Sequence, residues 1–355
     1  MNTTNTQTAG RLLPALSLSF NVDTPYLVKN WLRRGQTSMV YGPSNVGKSF
    51  FVIDLIYSIT TGEEWNGYRV KQGKILYIAT EGHSGLGQRL EALKKSRGFP
   101  PNYPDEQWLV LAEKIDLYAS ADAQKIIDLL ADHSFDLIVI DTLAMALGSG
   151  SENDNTTINA FLRNLSELRG LSDAHMMLIH HTGKDHERGA RGHSSLQAAV
   201  DTEISLKSDD GLTCVSTTKQ RDYQRADKLY FYLESVVLGV DADGDDVNSC
   251  VVRYTSKGDR PKKLSKAKQI VLDDLEKALE RFGTIHKGNA DIPPNTRVVD
   301  GFTWKDIVLS DTKLSPDAKD DSRRRTFSRI VKELLNEKLI CTDGSDLTWL
   351  PEKTE

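Results

Sequence analysis

The stretch Gly42-Pro43-Ser44-Asn45-Val46-Gly47-Lys48-Ser49 spaces two glycines, a lysine and a hydroxyl as G-x-x-x-x-G-K-S. This spacing suits phosphate binding. The glycines let backbone N–H groups turn inward, the lysine reaches the outer phosphates, and the hydroxyl meets Mg²⁺. The pattern has meaning only between a strand and a helix. Here "TSMVYG" (37–42) reads as a short buried strand. "SFFVIDLIYSITTG" (49–62) reads as a helix, with apolar residues at Phe50, Phe51, Ile53, Leu55, Ile56 and Ile59, and Gly62 as its stop. A helix starting at the lysine aims its free N–H groups and positive end at the phosphates. Gly42 through Phe50, with Lys48 and Ser49 foremost, are the candidate residues for a nucleoside triphosphate, and Ser49 is the first candidate for Mg²⁺.

Hydrolysis needs more than a cradle: an acid to hold the metal, an acid to orient water, and compensation for developing charge. Asp141 ends the apolar run "LIVID" (137–141), where a buried strand delivers a carboxylate to the sheet edge that binds ligands. Thr142 follows it, so the water-orienting acid must come from elsewhere. Glu81 ends the run "KILYIATE" (74–81) and is the candidate. His180 lies near the end of "HMMLIHH" (175–181), where a polar tip would sense the terminal phosphate. His180, His181, His186 and His193 have neither a cysteine nor an i,i+4 histidine partner, so they do not read as a zinc site.

Strand and helix patterns alternate from residue 37 to about 199, which predicts a parallel sheet with helices on both faces. Ser120 is the candidate N-cap of one of these helices. From residue 200 to 256 four strand patterns follow one another and read as antiparallel additions at the sheet edge. Residues 1–20 read as a loose tail, 21–258 as the α/β core, and 259–268 as a basic linker containing Pro261. Residues 269–355 offer three helical patterns and a final hairpin around Asp343-Gly344, which fits a small winged-helix domain.

The phosphate loop, "ATEG", "LIVIDT" and "LIHHTGKD", in that order, resemble the RecA-like P-loop ATPases, and among them the RepA-type hexameric plasmid replicative helicases. The resemblance covers about 27–254. It implies a RecA-like core, ATP hydrolysis between adjacent subunits of a homohexameric ring, and single-stranded DNA in the central channel. It also implies Glu81 as catalytic glutamate, Asp141 as metal aspartate and His180 as phosphate sensor. "TTKQRD" (217–222) resembles the K-x-R element of ring helicases, which implies that Lys219 and Arg221 reach a neighbour's terminal phosphate. Mobile positive charge there would stabilise the transition state.

The stretch "TGKDHERGARGHSSLQ" (182–197) is glycine-rich and basic, and Lys184, Arg188 and Arg191 are its candidate contacts to single-stranded DNA. Near the C-terminus, Arg323, Arg324 and Arg325 open a basic helix that suits duplex DNA, although Asp320, Asp321, Glu333 and Glu337 share it. A winged helix can also dock a protein.

The 355 residues carry a net charge of −5, so any nucleic-acid contact must be local rather than a basic coat. Three widely spaced cysteines suggest a reducing compartment, and no apolar run is long enough for a membrane span. The sequence expectation is a cytoplasmic, ring-forming, DNA-stimulated ATPase, a replicative helicase of a plasmid, phage or mobile element. A filament-forming recombination or repair ATPase and a nucleotide-gated binding switch are the alternatives.

Overall fold

A short antiparallel pair, β1 (Tyr26–Val28) and β2 (Leu32–Arg33), leads into β3 (Thr37–Gly42), whose six residues are all buried. The computed structural model describes residues 25–80, 84–182, 194–209, 211–222, 224–259, 264–310, 314, 320–344 and 346–351. The chain divides into two compact units, Met1–Arg260 and Pro261–Glu355.

In the first unit β3 is followed by α1 (Lys48–Thr61), β4 (Ile75–Ala79), α2 (Ser84–Arg97), β5 (Trp108–Leu111), α3 (Ser120–Asp132) and β6 (Leu137–Asp141). Then come α4 (Leu143–Ala146), α5 (Asn155–Ser172), β7 (His175–His181), α6 (Ser194–Ala199), β8 (Thr202–Asp209), β9 (Leu212–Gln220), β10 (Leu229–Val240) and β11 (Asp246–Thr255). One nine-stranded sheet takes the order β11-β10-β9-β8-β3-β7-β6-β4-β5. The strands from β8 to β5 run parallel, and β9, β10 and β11 join by antiparallel pairing. The first of the four late strands therefore corrects the sequence reading: β8 pairs parallel with β3 and belongs to the parallel part. Ala119, and not Ser120, occupies the N-cap position of α3.

Alternation along each strand splits the core into two layers. Val40, Tyr77, Val139, Met177 and Ile179 face the layer containing α1, while Met39, Ile78, Ile140, Met176 and Leu178 face the layer containing α5. Because α1 is covered on nearly every side, its sequence is apolar nearly all round. Its one buried carboxylate, Asp54, accepts from Arg97 Nη1 at 2.7 Å, Trp65 Nε1 at 3.0 Å and the Tyr254 hydroxyl at 2.9 Å. Those bonds tie α1 to α2 and β11. Burial still pushes the Asp54 carboxyl above its ordinary range. Gly62 ends α1 in a left-handed conformation (φ +80°) that a side chain would strain.

The second unit runs α7 (Lys266–Phe282), β12 (Thr284–Ile285), β13 (Arg297–Asp300), α8 (Gly301–Ser310), α9 (Asp320–Asn336), β14 (Cys341–Thr342) and β15 (Leu347–Trp349). The expected linker over 259–268 stops short, since α7 begins at Lys266 and is capped by the Ser265 side chain. The strands form an antiparallel sheet in the order β12-β13-β15-β14. Trp304 of α8 meets Phe327 of α9 edge to face, with ring centroids 5.1 Å apart, and donates from Nε1 to Val271 O of α7 at 3.1 Å. Those contacts centre a core with Val271, Leu275, Ile330 and Leu334. Among the described residues, no helix of the chain is long and apolar enough to cross a membrane.

Candidate functional site

β3, β4, β6 and β7 all end at one edge of the sheet, and a cavity of about 660 Å³ opens there. The turn from β3 into α1 forms its floor. Crowding at Gly42 and a left-handed backbone at Gly47 explain the two glycines. A Cβ on Gly42 would stand 2.4 Å from Leu206 O, while Gly47 has φ +94° and lies against the Phe231 ring. Asn45 is also left-handed (φ 62°), a conformation that asparagine tolerates better than most residues. Lys48 begins α1 and folds over the turn, donating from Nζ to Gly42 O at 3.1 Å and Pro43 O at 2.8 Å. Val46 is buried, and its carbonyl accepts from Thr213 Oγ1 at 3.0 Å. Ser44 and Phe50 line the same cavity.

Ser49 Oγ donates to Asp141 Oδ2 at 2.9 Å, which joins the start of α1 to the end of β6. The Tyr77 hydroxyl of β4 donates to the same carboxylate oxygen. Burial, and then the Asp141 charge, push the Tyr77 phenol well above its ordinary range, so it stays a proton donor. Thr80 fastens the backbone beyond. Its Oγ1 donates to Asp141 O at 2.8 Å and accepts from Thr142 N at 2.8 Å. This clamp holds the ends of β4 and β6 together immediately before Glu81, which itself lies outside the described residues.

The histidine placement corrects the sequence reading. His181, and not His180, stands at the phosphate loop, with Nδ1 3.2 Å from Lys48 Nζ and 3.4 Å from Ser44 Oγ. His180 is fully buried, with Nε2 3.9 Å from Glu152 Oε2. Strand parity is the cause: His181 shares the α1 side of β7 with Met177 and Ile179, and His180 shares the other side with Met176 and Leu178.

Lys219 and Arg221 lie at the opposite edge of the sheet, because β9 runs antiparallel and ends beside the start of β8. Lys219 Nζ donates to Gln197 O at 2.7 Å and Ala198 O at 3.3 Å. Arg221 pairs with the buried Asp201 at 2.7 Å and donates to Ala198 O at 3.2 Å. Within one chain, then, both cations hold the end of α6 and stand apart from the phosphate loop. Lys184, Arg188 and Arg191 lie outside the described residues. Arg323, Arg324 and Arg325 fall in the first turns of α9.

Three cavity residues escaped the sequence reading. Tyr77 reads as strand core, His181 is passed over for its neighbour, and Arg89 of α2 is not singled out. Arg89 lines the cavity with its guanidinium 5.0 Å from the Phe50 ring centroid. No sequence signal marks Arg89 apart from its place one helix after Glu81.

The residues present fit a metal-bound nucleoside triphosphate. A hydroxyl and a carboxylate oxygen 2.9 Å apart form the hard oxygen pair that Mg²⁺ takes alongside phosphates. Lys48 and the α1 N-terminus supply positive charge to face the phosphates. Among the described residues no cluster of three histidine, cysteine or acidic side chains could hold a metal by itself.

Sheet order and the turn from β3 into α1 together place a phosphate-loop type of turn at the carboxyl ends of the parallel strands of an α/β sheet. Residues 17–187 match a family model described as an AAA domain. A crystal structure of the RadB recombinase is similar at 16% identity and a TM-score of 0.41, over 57% of this chain and 88% of that one. Comparison with curated proteins gives no match.

Proposed function

We propose that the protein binds ATP with Mg²⁺ at this edge of the sheet and hydrolyses it, using the released energy to move on single-stranded DNA as a ring-forming helicase. The observation that carries the ATPase reading is the Ser49–Asp141 bond beside Lys48, with Tyr77 and Thr80 fixing the carboxylate from behind. Mg²⁺, held by Ser49 and Asp141, would supply charge neutralisation at the phosphates. Lys48 leaves its carbonyl partners for the outer phosphates, Glu81 orients the attacking water, and His181 senses whether the terminal phosphate is present. The helicase part rests on the motif resemblance and on the basic segment holding Lys184, Arg188 and Arg191. The C-terminal unit is read as a winged helix on the order of its helices and strands, with α8 and α9 as the candidate helix-turn-helix pair.

The decisive experiment is unwinding of a forked duplex by wild type and Glu81→Gln, with assembly state read from particle images. ATP-dependent unwinding by closed rings, lost in Glu81→Gln, supports the reading. Filaments without unwinding would transfer it to a recombination-type ATPase.

One observation favours a second reading, a nucleotide-gated binding switch. Arg221 and Lys219 are engaged inside their own chain, so a finger for a neighbour's phosphate is not pre-assembled. A chain that turns over ATP at a per-site rate independent of its concentration, and does not unwind, would fit the switch.

A further inference from the structure

Helix α9 sorts its charges by face. Phe327, Ile330 and Leu334 fix its inner side. Arg324, Arg325, Arg329 and Lys332 are exposed along the outer side. Of the four acids on the helix or just past it, Glu333 and Glu337 turn toward α7, where Lys268 reaches them at 2.9 Å and 3.1 Å, while Asp320 and Asp321 stay exposed in its first turn. The Lys268 hydrogen bond holds the Glu333 carboxyl below its ordinary range. Arg323 is tied to Asp320 at 2.5 Å, and Arg329 shares Glu333 at 2.6 Å. Arg324, Arg325 and Lys332 have no ion-pair partner among the described residues.

We propose that this outer face of α9 binds duplex DNA, with the helix laid in the major groove and Arg324, Arg325 and Lys332 on phosphates. Arg324 and Lys332 are eight residues apart, about 12 Å along the helix axis, so the charge is spread over about two turns of the helix. In the chain order α8 then α9, α9 is the second helix, the one that enters the groove in helix-turn-helix proteins. A polyanion suits the face better than a protein does. Every exposed position of α9 is charged or polar, whereas a protein interface needs an apolar or aromatic centre. The turn between β14 and β15 carries Asp343 and Asp346, so the wing adds no positive charge and α9 must supply the phosphate contacts.

This inference rests on the winged-helix reading of the C-terminal unit and not on the ATPase reading. The test uses the full chain without nucleotide and a labelled, blunt-ended duplex of mixed sequence, with anisotropy followed over a range of salt. Each phosphate contact contributes about 0.9 to the slope of log affinity against log salt. Arg324→Ala/Arg325→Ala/Lys332→Ala should therefore flatten the slope by about 2.7 and weaken low-salt binding roughly tenfold or more. Arg323→Ala should leave the slope in place, and so should the charge-keeping Arg324→Lys/Arg325→Lys/Lys332→Arg. Wild-type protein that ignores blunt duplex, or a triple alanine variant with unchanged affinity and slope, overturns the proposal. So does α9 capturing a protein in a chain with no duplex affinity. Loss of duplex binding in the triple alanine variant of a chain that hydrolyses no ATP would sink the ATPase reading and leave this one standing.

Discussion

Replacing Tyr77 by phenylalanine removes one oxygen from a buried position and changes almost no volume. The hydroxyl donates to Asp141 Oδ2, the oxygen that also accepts from Ser49 at 2.9 Å. A hydrogen bond to a charged group contributes about 1.5–3 kcal/mol. Tyr77 is 1% exposed, so water cannot take over the donor's place from its side. Residues that orient a metal's carboxylate ligand change metal affinity about 10–100-fold when removed, or about 1.4–2.7 kcal/mol, which agrees with the hydrogen-bond figure. Tyr77→Phe should thus need about 10–100 times more Mg²⁺ for half-maximal ATP turnover, while nucleotide binding without Mg²⁺ stays near wild type. The assay is turnover against free Mg²⁺ at fixed ATP, paired with calorimetric nucleotide titration in chelator. An unshifted Mg²⁺ curve would refute the assignment of Asp141 as the metal acid held by Tyr77.

His175 gives a pH prediction. It is fully buried and held neutral, with Nδ1–H donating to Arg33 O at 2.6 Å and Nε2 accepting from Ser38 Oγ at 2.7 Å, and burial lowers its pKa to about 4. The unfolded chain binds the proton near pH 6.5 and the folded one only near 4. Its contribution is therefore present above pH 6.5 and lost as pH falls toward 4, about 3 kcal/mol in all. Denaturant melts of wild type and His175→Gln should show that slope in wild type alone. Arg89→Ala should raise the KM for ATP several-fold with little effect on stability, since the guanidinium lines the cavity over Phe50; an unchanged KM removes it from the site. Arg221→Ala separates the two functional readings. A turnover loss of about 10³-fold or more with intact ATP binding fits a trans finger, and near-normal turnover fits a residue that only holds Asp201 and α6.

Much of the sheet was legible because both faces of its central strands are buried. "TSMVYG", "LIVID" and "HMMLIHH" are apolar runs bounded by turn residues, and such runs announce themselves. The edge strand β5, "WLVL", is only half-buried and short, so it left no comparable signal. Composition also cannot tell β8 from its antiparallel successors, because its direction depends on α6 carrying the chain back to the start of β3. Spacing and strand position single out Lys48, Ser49 and Asp141, which the structure brings together at one cavity. The choice between His180 and His181 turns on which face of β7 meets α1. That is a matter of register between strands far apart in sequence. Tyr77 is hidden for the same reason, since only its pairing beside β6 turns a core tyrosine into a donor for Asp141. Lys219 and Arg221 read as cations on a late strand, but the antiparallel run of β9 places them at the far edge of the sheet.

The most direct measurement is calorimetric ATP titration, with and without Mg²⁺, of wild type, Lys48→Ala and Asp141→Asn. Wild type should bind more tightly with the metal, Lys48→Ala should lose binding under both conditions, and Asp141→Asn should lose only the gain from Mg²⁺. Equal affinity in all three proteins, or a metal gain that survives in Asp141→Asn, would contradict a triphosphate site at this edge of the sheet.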